Sequence, residues 1–315
     1  MSFSAKQKSL AILPKISGTM SFLGSTYIFQ DVARSQRRRS KPYNRLILAL
    51  STFDIMASVV NIMSTWPIPE GTPGVYGAVG STGTCTAQGF FNETGNITTP
   101  MYNCMLCVYY ILIIRNGWSE TKVKKIEPYL HAAPLVVGWT MGIAGLPLTL
   151  YNPSGWLCWY APYPGNCLND PDVPCERGEL AFVFRWVHYG IIWSAIFFVT
   201  IGMFLIYRKV QSNEAKTKRF RQHVHPDEKD APRPARRLSF INRQENALRE
   251  QQEAAGRSRK VANQAMLFVG ALYLTWVFTT VSQTKSGSKS MNRLAYFLSL
   301  GGNFHLSTPC FQFSF

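Results

Sequence analysis

Long apolar stretches that contain almost no charge alternate along this chain with short stretches crowded with Arg and Lys. A hydrocarbon core about 30 Å thick requires roughly 20 mostly apolar residues to cross it as a helix. Seven stretches approach or meet that requirement: 10–32, 46–66, 101–114 extended back toward residue 85, 129–150, 180–207, 261–281 and 293–310. Core helices of a soluble protein, the alternative, seldom run so long without a polar face. The sequence therefore predicts an all-α membrane protein, a seven-transmembrane helix bundle.

These stretches divide the chain into four parts. Residues 1–9 form a short extracellular amino terminus, 10–207 hold helices one to five with their loops, 208–260 form a basic cytoplasmic loop, and 261–315 hold helices six and seven. The seventh stretch is interrupted by Gly301, Gly302, Asn303 and Pro309, so whether its helix is complete stays open. We expect residues 208–237 to be disordered because they are rich in Lys, Arg, Pro and His.

The net charge of +16, from 33 Lys and Arg against 17 Asp and Glu, raises the question of nucleic-acid binding. The positions of the charges along the chain argue against nucleic-acid binding. Basic residues concentrate in the loops after the first, third and fifth stretches, whereas the loop 67–84 has one acid and no Lys or Arg. By the positive-inside rule the basic loops are cytoplasmic and the amino terminus is outside. We therefore expect a multi-pass protein of the plasma membrane with a cytoplasmic carboxyl terminus and no nucleic-acid partner.

Four cysteines fall on the expected outer side, where disulfides can form: Cys85, Cys158, Cys167 and Cys175. Four cysteines allow three pairings, and free outer thiols are a further alternative. Pairing of Cys85 with Cys158 would join the third helix to the second outer loop and leave Cys167 and Cys175 to close a small loop. Cys104 and Cys107 have metal-ligand spacing, but no second Cys or His pair follows them, so we expect no metal site.

Two glycosylation sequons, at Asn92-Glu93-Thr94 and Asn96-Ile97-Thr98, conflict with the length that the third helix needs. We favour the helix, in which five polar residues recur at spacings of three and four and share one face: Gln88, Asn92, Asn96, Thr99 and Asn103. A polar face in a membrane helix normally turns toward the bundle interior or a water-filled cavity. We predict that this face meets a ligand. Hydrogen bonding between helices and a glycosylated loop are the alternatives.

Asp54 lies in the middle of the second stretch, where a charge costs about 2.5–3.5 kcal/mol on insertion scales. Such a residue is typical of a switch, an ion site or a polar network, and we interpret it as an intramembrane switch. The alternative is a structural Asp that is protonated or hydrogen-bonded. Ser239 follows Arg236-Arg237-Leu238 and resembles a kinase acceptor, whose phosphorylation would add negative charge among cations.

Seven spans, an outside amino terminus, a cysteine opening the third span and another in the second outer loop resemble G-protein-coupled receptors. Three motifs look like the secretin and cyclic-AMP receptor-like group: Cys158-Trp159, Gly138-Trp139 and Arg257-Ser-Arg-Lys260. Four others resemble receptor-like proteins of algae and other protists: Cys85-Thr-Ala-Gln-Gly-Phe-Phe91, Met101-Tyr-Asn103, Tyr109-Tyr110 and Trp118. The base of the third span departs from the wider family, since no Asp-Arg-Tyr stands there and the nearest cation is Arg115.

The resemblance implies a receptor that passes an extracellular signal to a heterotrimeric G protein, with the lipid bilayer as its other partner. Its expected G-protein contacts are Arg115, Arg257, Arg259 and Lys260. A transporter or channel, and a truncated homologue that does not signal, are the alternatives. We expect no enzyme, because no catalytic set lies within the spans. We also expect no cofactor: a retinal protein would need a lysine inside the seventh helix, and Lys285 and Lys289 both precede it.

Overall fold

The computed structural model describes residues 4–165, 167 and 172–224. This part forms helices α1 (Ala5–Arg34), α2 (Gln36–Arg39), α3 (Pro42–Met63), α4 (Thr82–Tyr110), α5 (Glu120–Ala144) and α6 (Ala181–Val224), with strands β1 (Tyr151–Pro153) and β2 (Cys158–Tyr160). The predicted sixth and seventh helices, 261–281 and 293–310, lie outside the described residues.

Local sequence signals explain where these helices begin. Ser4 caps α1, its hydroxyl accepting from the Gln7 N–H while the Gln7 side chain accepts from the Ser4 N–H. Ser81 caps α4 in the same reciprocal way with Thr84. Pro42 occupies the start of α3, where its missing N–H costs no hydrogen bond.

Within the described residues, three helices are long and apolar enough to cross a membrane: Pro42–Met63, Thr82–Arg115 and Ala181–Asn213. The second of these is α4 together with the π-helical turn Ile111–Arg115 that continues it. The helix runs without a break through both sequons, as predicted, so Asn92 and Asn96 are helical residues.

Helix α1 is less apolar overall, but one of its faces suits a lipid environment. Five large apolar side chains are substantially exposed at spacings of four, four, three and four: Ile12, Ile16, Met20, Leu23 and Tyr27. The opposite face packs against α3, where a Cβ added to Gly18 would lie 2.9 Å from the Asn61 Cβ. The Ser58 hydroxyl donates to the Ser21 hydroxyl at 2.9 Å across the same contact.

Helix α4 lies at the centre of the described bundle and packs against α3, α5 and α6. Its contact with α5 depends on small residues, because a Cβ added to Gly138 or Gly142 would overlap the hydroxyl of Thr98 or Thr94. This pattern of small residues four apart is typical of closely packed membrane helices. On the other side, a Cβ on Gly202 of α6 would overlap the Cys107 sulfur, so α6 also approaches closely.

The loop between α5 and α6 contains a small antiparallel hairpin in which Tyr151 is paired with Tyr160 and Pro153 with Cys158. Both tyrosines are buried, with stacked rings 5.5 Å apart. They belong to a core cluster that also includes Ile97 of α4, Met141 of α5 and Ile192 of α6. The hairpin is therefore part of the bundle core.

The helices differ in extent from the predicted apolar stretches. Helix α1 begins at Ala5, within the segment 1–9 that the sequence assigns to the amino terminus. Helix α5 begins at Glu120 and ends at Ala144, whereas the prediction was 129–150. Its start is earlier because a charged amphipathic segment extends the helix beyond the apolar stretch. Helix α6 continues to Val224, so residues 208–224, expected to be disordered, are helical. Propagating an existing helix costs far less than starting one, which allows polar residues to follow the apolar span.

Candidate functional site

The hairpin of β1 and β2 is attached covalently to the start of α4. Cys85 and Cys158 form a disulfide and are 1% and 0% exposed. The Cys158 N–H also donates to the Gln88 Oε1 at 2.9 Å, and the Gln88 Nε2 donates to the Ser64 carbonyl at 2.6 Å. Gln88 thus joins the hairpin, α4 and the end of α3. Cys167 and Cys175 form the second disulfide and close a small loop.

A buried acid–imidazole pair lies beneath this hairpin. The Glu93 Oε1 of α4 is 2.9 Å from the His188 Nδ1 of α6, and the side chains are 0% and 3% exposed. The other carboxylate oxygen accepts a hydrogen bond from the Trp159 indole N–H at 2.6 Å. Trp159 belongs to β2, so one carboxylate connects the hairpin to two membrane-spanning helices.

A guanidinium lies on the other side of the same tryptophan. The Arg185 carbon Cζ is 5.4 Å from the centroid of a Trp159 ring, and Arg185 donates to the Tyr160 carbonyl. The Arg185 Nε is buried without a hydrogen-bond partner, and no described carboxylate forms an ion pair with this residue. Trp159 therefore separates a cation on its face from an anion at its N–H edge.

The hairpin tyrosines connect this cluster to α5. The Tyr160 hydroxyl donates to the Met141 carbonyl at 3.0 Å, and the Tyr151 hydroxyl donates to the Gly142 carbonyl at 2.7 Å. Because both bonds end on backbone atoms near the end of α5, the hairpin contacts α4, α5 and α6 together.

Asp54 of α3 is 6% exposed and accepts a hydrogen bond of 3.1 Å from the Thr99 hydroxyl of α4. Thr99 belongs to the polar face that the sequence indicated. The predicted switch residue and one predicted ligand-facing residue are therefore direct partners across the α3–α4 contact.

The predicted polar face of α4 divides into two groups. Gln88 and Thr99 are buried and bond to neighbouring segments, which agrees with the alternative of hydrogen bonding between helices. The Asn96 amide donates to the Asn92 Oδ1 at 2.9 Å within α4. Asn96 and Asn103 are half-buried, so part of each side chain remains accessible.

At the opposite end of the bundle a second polar network joins three helices. Arg45 of α3 forms an ion pair with Glu127 of α5. This hydrogen-bonded guanidinium is the main reason that the pKa of Glu127 is lowered from 4.5. One turn further along α5, the ring of His131 is 3.2 Å from the Tyr102 hydroxyl of α4.

The expected G-protein contacts are only partly described. Arg115 is exposed at the end of the π-helical turn that follows α4. Arg257, Arg259, Lys260 and the predicted acceptor Ser239 lie outside the described residues.

Sequence reasoning missed the Glu93–His188 pair. Glu93 has a predicted place only as the middle residue of a sequon, and the sequence patterns give His188 no role. An acid inside a helix of membrane length was the available signal, because such residues normally have a partner. In the part of the chain that the structure describes, no three His, Cys, Asp or Glu side chains are grouped as metal ligands would be. Cys104 and Cys107 are buried free thiols that face backbone carbonyls of α6.

Comparison with known proteins gives a structural relationship only. Neither the family models nor the curated proteins give a match to this sequence. Among solved structures, the crystal structure of squid rhodopsin is similar with a TM-score of 0.64 and 13% sequence identity, covering 98% of this chain and 82% of that chain. The predicted all-α membrane architecture is confirmed, and the chain shares its fold with squid rhodopsin.

Proposed function

We propose that this protein is a receptor of the plasma membrane that transmits an extracellular small-molecule signal to a heterotrimeric G protein. Its amino terminus is outside and its carboxyl terminus is cytoplasmic, in keeping with the distribution of Lys and Arg. The observation that supports the proposal most strongly is the connection from the outer hairpin, through Trp159, to Glu93 and His188 inside the bundle.

In this proposal a ligand acts on the hairpin and on the accessible part of the polar face of α4, at Asn96 and Asn103. A ligand shifts a conformational equilibrium only when it binds one state more tightly than the other. Displacement of Trp159 would remove the hydrogen bond that its N–H donates to Glu93. This loss would change how strongly Glu93 interacts with His188. Helices α4 and α6 would then adjust relative to each other.

Asp54 and Thr99 are the second element of the proposed mechanism. Their hydrogen bond joins α3 to α4 near the middle of the membrane, so a movement of α4 strains or breaks it. Arg115, Arg257, Arg259 and Lys260 are the proposed contacts with the G protein. Phosphorylation of Ser239 would add charge near those contacts and oppose binding.

The proposal is tested with the full chain and a panel of Gα subunits. A reporter that matures only in the cytosol is first fused to the carboxyl terminus, and we expect it to mature. Dissociation of each Gα from Gβγ is then measured by energy transfer, with and without the chain. We expect basal or extract-stimulated dissociation of at least one Gα, reduced by Arg115→Ala and altered by Asp54→Asn. A lumenal carboxyl terminus, or a chain to which no Gα responds, would contradict the proposal and favour the truncated homologue.

The Glu93–His188 pair also favours a second candidate, a transporter coupled to protons. Paired intramembrane charges that can gain and lose protons are typical of such proteins. Purified protein in liposomes that contain a pH-sensitive dye distinguishes the two candidates. Proton entry that His188→Leu abolishes would support the transporter, whereas coupling to a G protein without proton entry would support the receptor.

A further inference from the structure

The short segment between α1 and α3 presents a cluster of cations. Five basic side chains are exposed there: Arg34, Arg37, Arg38, Arg39 and Lys41. A cavity of about 400 Å³ opens beside them, lined by Tyr27, Gln30, Asp31, Arg34, Ser35 and Arg38. The positive-inside rule accounts for basic residues in this loop but does not require a cavity.

The lining of the cavity suits a phosphorylated ligand. The two guanidinium groups, of Arg34 and Arg38, can each form paired hydrogen bonds with phosphate oxygens. Asp31 is ion-paired with Arg38, whereas Arg34 has no ion pair within the described residues. Gln30 and Ser35 add neutral hydrogen-bonding groups, as a hydroxyl-rich ligand requires.

The position of the cavity indicates that its ligand is a lipid. Tyr27 is 69% exposed and is the last of the large apolar residues along the lipid-facing side of α1. Tyrosine is enriched where the hydrocarbon core meets the headgroup layer. Tyr27 also lines the cavity, so the cavity adjoins the end of this apolar side, where we expect the headgroup layer to lie.

We propose that this cavity binds the phosphorylated headgroup of an anionic membrane lipid of the phosphoinositide class. Arg34 and Arg38 contact the phosphate, and Asp31 accepts a hydrogen bond from a hydroxyl of the inositol ring. Clusters of Lys and Arg at the cytoplasmic end of a membrane helix attract such lipids. The lipid site rests on the proposed topology, in which this segment is cytoplasmic, but not on receptor activity, since the site would exist equally on a transporter.

The test uses the full chain in detergent and measures bound lipid by native mass spectrometry. Phosphatidylinositol 4-phosphate, phosphatidylserine and phosphatidylcholine are added at equal concentrations. We expect the phosphoinositide to bind best and Arg34→Gln/Arg38→Gln to weaken its binding about tenfold. The matched control, Arg37→Gln/Arg39→Gln, removes the same charge from residues that do not line the cavity, and it should retain most of the binding.

Three results would overturn the proposal. Equal losses in the two double variants would mean diffuse attraction to charge without a site. Equal binding of phosphatidylserine and the phosphoinositide would likewise indicate diffuse attraction to charge without a site. A water-soluble inositol phosphate that binds as tightly as the lipid would identify a soluble ligand. Should Arg34→Gln/Arg38→Gln fail to fold, Asp31→Asn replaces it. Asparagine keeps an oxygen that accepts from the ring hydroxyl and releases Arg38 from its ion pair, so phosphoinositide binding should strengthen, and unchanged or weaker binding would contradict the site.

Discussion

Glu93 of α4 and His188 of α6 lie 2.9 Å apart between Oε1 and Nδ1, with exposed fractions of 0% and 3%. Removing one member of a buried pair leaves the other without compensation, at a cost of about 3–5 kcal/mol, whereas replacing both is much milder. We therefore predict that Glu93→Leu and His188→Leu each lower the thermal stability of the purified protein strongly. The double variant should be more stable than the sum of the two losses predicts.

Glu93→Leu should be the more damaging single change, because it also removes the acceptor of the Trp159 N–H. Apparent unfolding temperatures of the four proteins in one detergent form a double-mutant cycle. Additive losses would mean that the two side chains are not coupled. Trp159→Phe keeps an aromatic ring but removes the N–H together with part of the indole, so its cost should be at least the roughly 1–3 kcal/mol expected for leaving a buried acceptor unpaired.

The contact between α4 and α5 gives a second prediction. Gly138→Ala places a methyl group against the Thr98 hydroxyl, and we expect a loss of about 1–3 kcal/mol, typical of an overpacked core. The matched control is Gly190→Ala in α6, where an added Cβ meets nothing within 4 Å. Alanine is the better helix former, so that change should be neutral or stabilising by up to about 1 kcal/mol.

The stability of both glycine variants is measured as their apparent unfolding temperature. Addition of Thr98→Ala to Gly138→Ala should recover part of the loss, because it removes the hydroxyl oxygen that the methyl group meets. A Gly138→Ala protein as stable as Gly190→Ala would refute the close approach of the two helices.

The two disulfides should differ in their contribution to stability. Their cysteines are 73 and 8 residues apart in sequence. By loop-closure entropy alone, the longer loop should contribute about 2 kcal/mol more. We predict that Cys85→Ser/Cys158→Ser lowers the unfolding temperature considerably more than Cys167→Ser/Cys175→Ser. The same order should appear in the ability of each variant to reach the cell surface, and the reverse order would contradict this account of the hairpin.

The ion pair of Arg45 and Glu127 predicts a dependence of stability on pH. Its hydrogen-bonded guanidinium holds the pKa of Glu127 below 4.5 in the folded protein. The folded state therefore binds fewer protons than the unfolded state, and the ion pair stabilises the protein fully only above about pH 4.5. This stabilisation is lost as the pH falls through the folded pKa.

Unfolding temperatures between about pH 3 and pH 7 measure this effect. Glu127→Gln should be less stable than the wild type at pH 7 and should lose less stability on acidification. Glu179→Gln, which removes an exposed carboxylate in the outer loop, is the control and should follow the wild-type curve. A parallel loss in Glu127→Gln and the wild type would exclude a role for Glu127.

Periodicity and length were sufficient to predict several elements. The requirement for a membrane-length third helix placed Asn92 and Asn96 in α4 against the sequons, and the structure confirms that choice. Of the three pairings that four cysteines allow, the structure contains the one considered above, Cys85 with Cys158 and Cys167 with Cys175. These inferences succeeded because the bilayer fixes helix length and the loops restrict which cysteines can meet.

Partners across helices were harder to predict, because periodicity identifies the face of a residue and not the residue opposite it. Asp54 was recognised as exceptional, yet its partner Thr99 was interpreted as ligand-facing. The Glu93–His188 pair depends on the rotation of α6 about its own axis, for which the sequence has no direct signal. Boundaries failed where polar residues continued an apolar helix, as in residues 208–224 of α6.

The length of α6 has a mechanical consequence. Its 44 residues span about 66 Å at 1.5 Å per residue, roughly twice the thickness of the hydrocarbon core. If the hairpin holds this helix near His188, the remainder of the helix forms a long arm that ends at Val224. A tilt of only about 5° around His188 would move the far end of the helix by several ångströms. A displacement near Trp159 that is too small to open a cavity would therefore become a large displacement at Val224.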